Sequence, residues 1–122
     1  MPAVIFLLHK KHQNEHKMDG NTTVKYLQNY IKAKDHHPEL LKDYMLKLTE
    51  EVGELSRAVR KGLKAPDTDN IKGTIDEEIR DVIYYAPAVA NLYDIDVEQV
   101  IKAKCGLSEL KYPSDVVFEV VR

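Results

Sequence analysis

Between Pro38 and Tyr93 the chain carries two long amphipathic stretches of helical period, separated by residues 62–73, which hold glycine, proline, aspartate and asparagine. That pattern predicts an antiparallel helical hairpin. The first stretch runs from Pro38 to Lys61, with Leu41, Met45, Leu48, Val52, Leu55 and Val59 as its apolar stripe and Gly62 as its stop. Pro38 suits the first helical position. The second begins at Thr74-Ile75-Asp76-Glu77, which reads as a capping box, and presents Ile75, Ile79, Val82, Ala86, Val89 and Tyr93 on one face. Pro87 lies inside it and predicts a kink, or a cost of about 3 kcal/mol.

Shorter helices flank the hairpin. Val24–Lys34 places Val24, Leu27 and Ile31 on one face, and Asp35-His36-His37-Pro38 breaks it. Asp96 reads as the N-cap of a last helix that Gly106 ends, followed by Tyr112-Pro113 and an extended, valine-rich tail. Residues 1–17 lack a clear period and are read as an N-terminal arm or leader, with the helical domain over residues 18–122. The fold class is all-α. A two-helix hairpin leaves apolar surface over, with Tyr44, Tyr84 and Leu92 off the stripes, so a homodimer or homotetramer sharing a four-helix-bundle core is expected.

The acidic residues narrow the function. Glu50-Glu51-Val52-Gly53-Glu54 lies in the first hairpin helix and Glu77-Glu78-Ile79-Arg80-Asp81 in the second. At about 100° per residue, Glu51 and Glu54 take one shoulder of their stripe, and Glu78 and Asp81 take the shoulder of the same handedness on theirs. Antiparallel packing, stripe to stripe, brings both shoulders to one side of the pair. Four converging carboxylates repel, and a divalent cation relieves that repulsion. Oxygen-only ligands suit Mg²⁺ or Mn²⁺, and the absence of His and Cys from both pairs argues against zinc. It argues equally against a di-iron bundle, which places Glu-x-x-His on two helices. Glu50 points away from the stripe, and Glu77 is engaged in the capping box.

A net charge of −2 excludes the broad basic footprint of a nucleic-acid binder. The single cysteine, Cys105, rules out an internal disulfide framework and fits a reducing, cytoplasmic setting. No apolar run approaches a membrane span, and Ala3–Leu8 lacks the flanks of a signal peptide.

Leu48-Thr49-Glu50-Glu51-Val52-Gly53-Glu54-Leu55, then Asp76 to Tyr85 with Glu78 and Asp81, resembles the EExxE…ExxD pattern of the MazG family of all-α nucleoside triphosphate pyrophosphohydrolases. Ala90-Asn91-Leu92-Tyr93-Asp94-Ile95-Asp96 is similar to the family's "AN…GID" turn, and Lys111-Tyr112-Pro113 to its C-terminal basic-Tyr-Pro element. The resemblance covers about residues 22–113. It implies that Glu51, Glu54, Glu78 and Asp81 bind Mg²⁺, that Glu51 or Glu54 orients the attacking water, and that nucleoside monophosphate and pyrophosphate are released. It also implies self-association. Lys47, one turn before Glu51, and Lys104 and Lys111, near the C-terminal element, are candidates for phosphate contact. The chain departs from the family at Ser108, where many relatives carry Asn, and at Pro87, where they continue an apolar helix. A non-catalytic helical module that binds nucleotide or protein is the competing reading.

Overall fold

The computed structural model describes residues 20–119. The leader expected over residues 1–17 and the domain start at Met18 lie outside the described residues. Four helices follow one another: α1 Val24–Lys34, α2 Leu41–Arg60, α3 Ile75–Leu92 and α4 Val97–Lys111, with a 3-10 turn, Pro38–Leu40, leading into α2. The described residues contain no strand, and the chain is all-α. Helices α2 and α3 form the hairpin, α1 lies against α3, and α4 lies against α1. No described helix is long and apolar enough to cross a membrane.

Side-chain oxygens start three of the helices. Thr23 accepts from the Tyr26 amide at 3.0 Å, Thr74 from Glu77 at 3.3 Å and Asp96 from Gln99 at 3.2 Å. Each satisfies an amide that the helix itself leaves unpaired. The capping box closes one residue early: the Glu77 carboxylate accepts from the Gly73 amide, while the Thr74 amide donates to the Ile71 carbonyl. Helix α2 stops at Gly62, whose φ of 64° is in the left-handed region. The Leu63 and Gly62 amides then donate to the Ala58 and Val59 carbonyls, both at 3.0 Å, the paired bonds of a glycine-terminated helix.

One expectation about a helix end is corrected. Gly106 does not end the last helix, which continues to Lys111. Glycine stops a helix when it takes the left-handed conformation; otherwise it costs about 1 kcal/mol relative to alanine and the helix runs on. Pro87 lies buried inside α3, which runs as one helix from Ile75 to Leu92. Tertiary packing of that face outweighs the local penalty.

The helix faces are also rotated from expectation. In α2 the covered positions are Leu41, Tyr44, Leu48, Glu51, Leu55 and Ala58, whereas Met45, Val52 and Val59 are exposed. In α3 the covered positions include Glu78, Tyr84, Ala88 and Asn91, whereas Ile79, Ala86 and Tyr93 are exposed. Tyr44 and Tyr84, which sequence reading sets off the stripes, join Ile31 and Ala88 in the core, with Leu27, Tyr30, Tyr85, Val89 and Leu92 around them. Ile31 is fully enclosed, a burial that contributes about 2 kcal/mol.

Two polar networks pin the helices. Gln28 of α1 donates to the Asn91 side chain at 3.0 Å and to the Ile95 carbonyl, and accepts from the Val97 amide at 3.0 Å. Asn91 returns a bond to the Gln28 carbonyl at 3.1 Å. At the α1–α2 junction the Asp35 carboxylate accepts from the Tyr44 hydroxyl at 2.7 Å and the Tyr84 hydroxyl at 3.0 Å. Burial and that bonded carboxylate push the Tyr44 hydroxyl up to about 12, and Tyr84 is raised for the same reasons.

Candidate active site

Because the covered face of α2 is centred nearer Glu51 than its apolar stripe is, that glutamate points into the hairpin. Glu78, in the first turn of α3, and Asp81, one turn on, face it from the other side. Glu51, Glu78 and Asp81 each offer a carboxylate oxygen within 4.8 Å of the others. Glu78 is buried, and its Oε2 finds no hydrogen-bond partner. Such an atom is costly to leave unmatched, by about 1–3 kcal/mol or more when charged. Desolvation, followed by contact with and repulsion from Glu51 and the charges of Asp81 and Glu77, pushes the Glu78 carboxyl up to about 7.

Of the four carboxylates singled out in the sequence, these three are brought together. Glu54 is exposed on the next turn, with Arg57 at 4.0 Å. It lies outside the tight cluster but on the same side of α2 as Glu51, one turn away. Glu50 is exposed and pairs with Lys47 at 3.6 Å. Glu77 is spent on the loop, as expected.

The three candidate lysines are placed differently. Lys47 lines a cavity of about 160 Å³ with Asp35, Leu40, Asp43, Tyr44 and Tyr85. Lys104 and Lys111 are exposed on α4, the helix that lies against α1. Lys111 rests over the Tyr112 ring at 5.4 Å. Tyr84 is only 6% exposed and is committed to the core, while Tyr85 reaches the cavity beside Lys47. Cys105 is half-buried.

One residue of the site escaped sequence reading. Arg80 bonds the Asp81 carboxylate at 3.0 Å, and its guanidinium stacks on the Tyr84 ring, 4.7 Å from the centroid. The i,i+4 spacing of Arg80 and Tyr84 was the available signal.

Chemically, the arrangement is a compact group of hard oxygen donors, with one donor atom buried and unmatched. Its residues fit a divalent cation better than they fit one another.

Residues 39–106 match the MazG nucleotide pyrophosphohydrolase domain. The chain is also similar to crystal structures of iMazG from Vibrio DAT 722. To a C-terminally tagged form it is 40% identical, with a TM-score of 0.68 over 72% of this chain and 99% of that one. To an N-terminally tagged form it is 40% identical, with a TM-score of 0.69 over 76% of this chain and 100% of that one. No curated protein matches the chain.

Proposed function

The chain belongs to the MazG nucleotide pyrophosphohydrolase family and is a hydrolase of nucleotide phosphoanhydrides, and from that premise we propose its substrate, cofactor and assembly. The substrate is a nucleoside triphosphate, cleaved between the α and β phosphates to nucleoside monophosphate and pyrophosphate. The cofactor is Mg²⁺ or Mn²⁺, held by Glu51, Glu54, Glu78 and Asp81.

The observation that carries this reading is the buried, unpartnered Glu78 Oε2 among the carboxylates of Glu51 and Asp81. Bound there, a divalent ion neutralises triphosphate charge and lowers the pKa of a water. Glu78 and Asp81 are fixed on one rigid helix, so their carboxylates are held one turn apart before any ligand arrives. Glu51 faces them from α2 and closes the donor set. Glu54, more exposed and loosely paired with Arg57, is free to reorient toward the same side and, with Glu51, to orient the attacking water. Lys47 is near enough along α2 to exchange Glu50 for a phosphate oxygen.

Lys104 and Lys111, on the helix that lies against α1, meet substrate in this reading across a subunit boundary. Exposed Met45, Leu46, Val52, Ile79 and Ile83 supply the apolar surface for such an assembly, a homodimer or homotetramer.

A pyrophosphate-release assay over canonical and modified nucleoside triphosphates, with and without Mg²⁺, tests the reaction. Ion-dependent formation of monophosphate and pyrophosphate supports it. Absence of turnover from folded, Mg²⁺-binding protein favours the non-catalytic binding module.

A further inference from the structure

We propose that Arg80 is a phosphate-contacting residue of this site, one that opposes the divalent ion before substrate arrives and holds the polyphosphate afterwards. The inference rests on the reaction proposed above.

Three observations carry it. Among the described residues, Arg80 is the one lysine or arginine within ion-pair distance of Glu51, Glu78 or Asp81. Arg57 is ion-paired with Glu54, and Lys47 with Glu50. Secondly, the guanidinium has a fixed seat. It lies 4.7 Å from the centroid of the Tyr84 ring, and that ring is immobilised by its hydroxyl bond to Asp35 at 3.0 Å and by Tyr85, edge-on at 5.1 Å. An arginine so placed loses little further freedom when it takes a ligand. Thirdly, it has capacity to spare. A guanidinium carries five N–H donors in a planar fork, one is engaged by Asp81, and the side chain is 59% exposed. A planar fork beside Asp81, a carboxylate of the cluster that is itself partly exposed, matches a phosphate oxygen pair.

The sign of its effect follows from charge. With no substrate bound, a guanidinium and a divalent ion share the Asp81 carboxylate and repel. Once a polyphosphate is present, both cations face the same anion and the repulsion is offset. Arg80 therefore weakens binding of the ion alone and strengthens binding of the phosphate chain. A residue that merely propped Asp81 in place would strengthen both.

Titration calorimetry of the full chain and of Arg80→Gln separates these roles, with two probes: Mn²⁺ alone, and inorganic pyrophosphate in saturating Mn²⁺. The expected result is Mn²⁺ affinity equal to or tighter than that of the unaltered protein, with pyrophosphate bound about tenfold more weakly. Arg80→Lys should recover part of the loss, because it keeps the charge without the fork. Arg60→Gln, the same charge change at an exposed position at the end of α2, should leave both affinities unchanged. Unchanged pyrophosphate affinity in Arg80→Gln overturns the proposal. So does a joint loss of Mn²⁺ and pyrophosphate binding, and so does an unaltered protein that binds no pyrophosphate. Neither probe requires turnover, so failure of hydrolysis in the nucleotide assay is a separate result, bearing on the reaction alone.

Discussion

Two of the polar groups among the described residues, one around Gln28 and Asn91 and one around Glu78, differ in whether their bonding capacity is met. Around Gln28 and Asn91, amide donors and acceptors from α1, α3 and the α3–α4 turn satisfy one another across a sequence separation of more than sixty residues. Around Glu78 the three carboxylates are all acceptors when ionised, and one oxygen has nothing to accept from. A buried polar network that closes on itself serves the fold. One made only of acceptors stores a deficit that a cation can remove. The contrast sets a cluster that satisfies itself beside one that holds an unmatched acceptor.

The largest effect that would sharpen this contrast is at Glu78. Glu78→Gln keeps the shape and removes a charge, and pyrophosphate release should fall at least about a hundredfold. Ion-free stability should stay the same or rise, because repulsion within the cluster is relieved. A loss of stability similar to that at Asn91 would erase the distinction. Asn91→Ala should behave in the opposite way, lowering stability by about 2 kcal/mol in chemical denaturation, since Gln28 is left with buried unmatched groups. Activity per folded molecule should be retained.

A smaller, signed effect concerns pH. The Glu78 carboxyl is raised from 4.5 to about 7 in the folded chain, so the fold favours its protonated form. That contribution is complete below 4.5 and is lost as pH rises through about 7. Ion-free protein should therefore melt at a lower temperature near pH 8 than near pH 5, and saturating Mg²⁺ should narrow the difference. A flat profile without the ion would place Glu78 among ordinary surface carboxylates.

The smallest expected effect is at Asp94. Its φ of 53° is left-handed, at the place where the family turn carries glycine. Asp94→Gly should raise thermal stability by up to about 1 kcal/mol, because the steric penalty of a Cβ there is partly offset by the greater freedom of glycine in the unfolded chain.

Much of this was legible in the sequence, for local reasons. Helix starts follow from Thr74 and Asp96, and the α2 stop from Gly62, because capping bonds join residues only a few positions apart. The convergence of Glu51, Glu78 and Asp81 followed from period alone. What periodicity misjudged was which side of each helix is covered. It weighted Met45, Val52 and Ile79 by hydrophobicity, but within one chain the tyrosines and the carboxylates occupy the interface. Tyr44 and Tyr84 are large enough to fill it, and Asp35 satisfies both hydroxyls. Gln28, Asp35 and Arg80 left little trace, because the roles of Gln28 and Asp35 depend on distant partners and that of Arg80 on a ring fixed by such a partner.

The neck of the hairpin has a consequence for how this protein can vary. Beyond the α2 stop, the Ile75 amide donates to the Leu63 carbonyl at 2.8 Å, and the Ala65 amide to the Asp76 carboxylate at 2.8 Å. Those two bonds draw the strands of the connection together before the helices begin. The Ile71 carbonyl is held by the Thr74 amide, so residues 66–70 hang outside a closed ring, and closing a longer segment there adds little entropic cost. Lengthening that segment, or grafting another sequence into it, leaves the register of Glu51 against Glu78 untouched. The molecule thus has a site for acquiring new surface that is insulated from its chemistry.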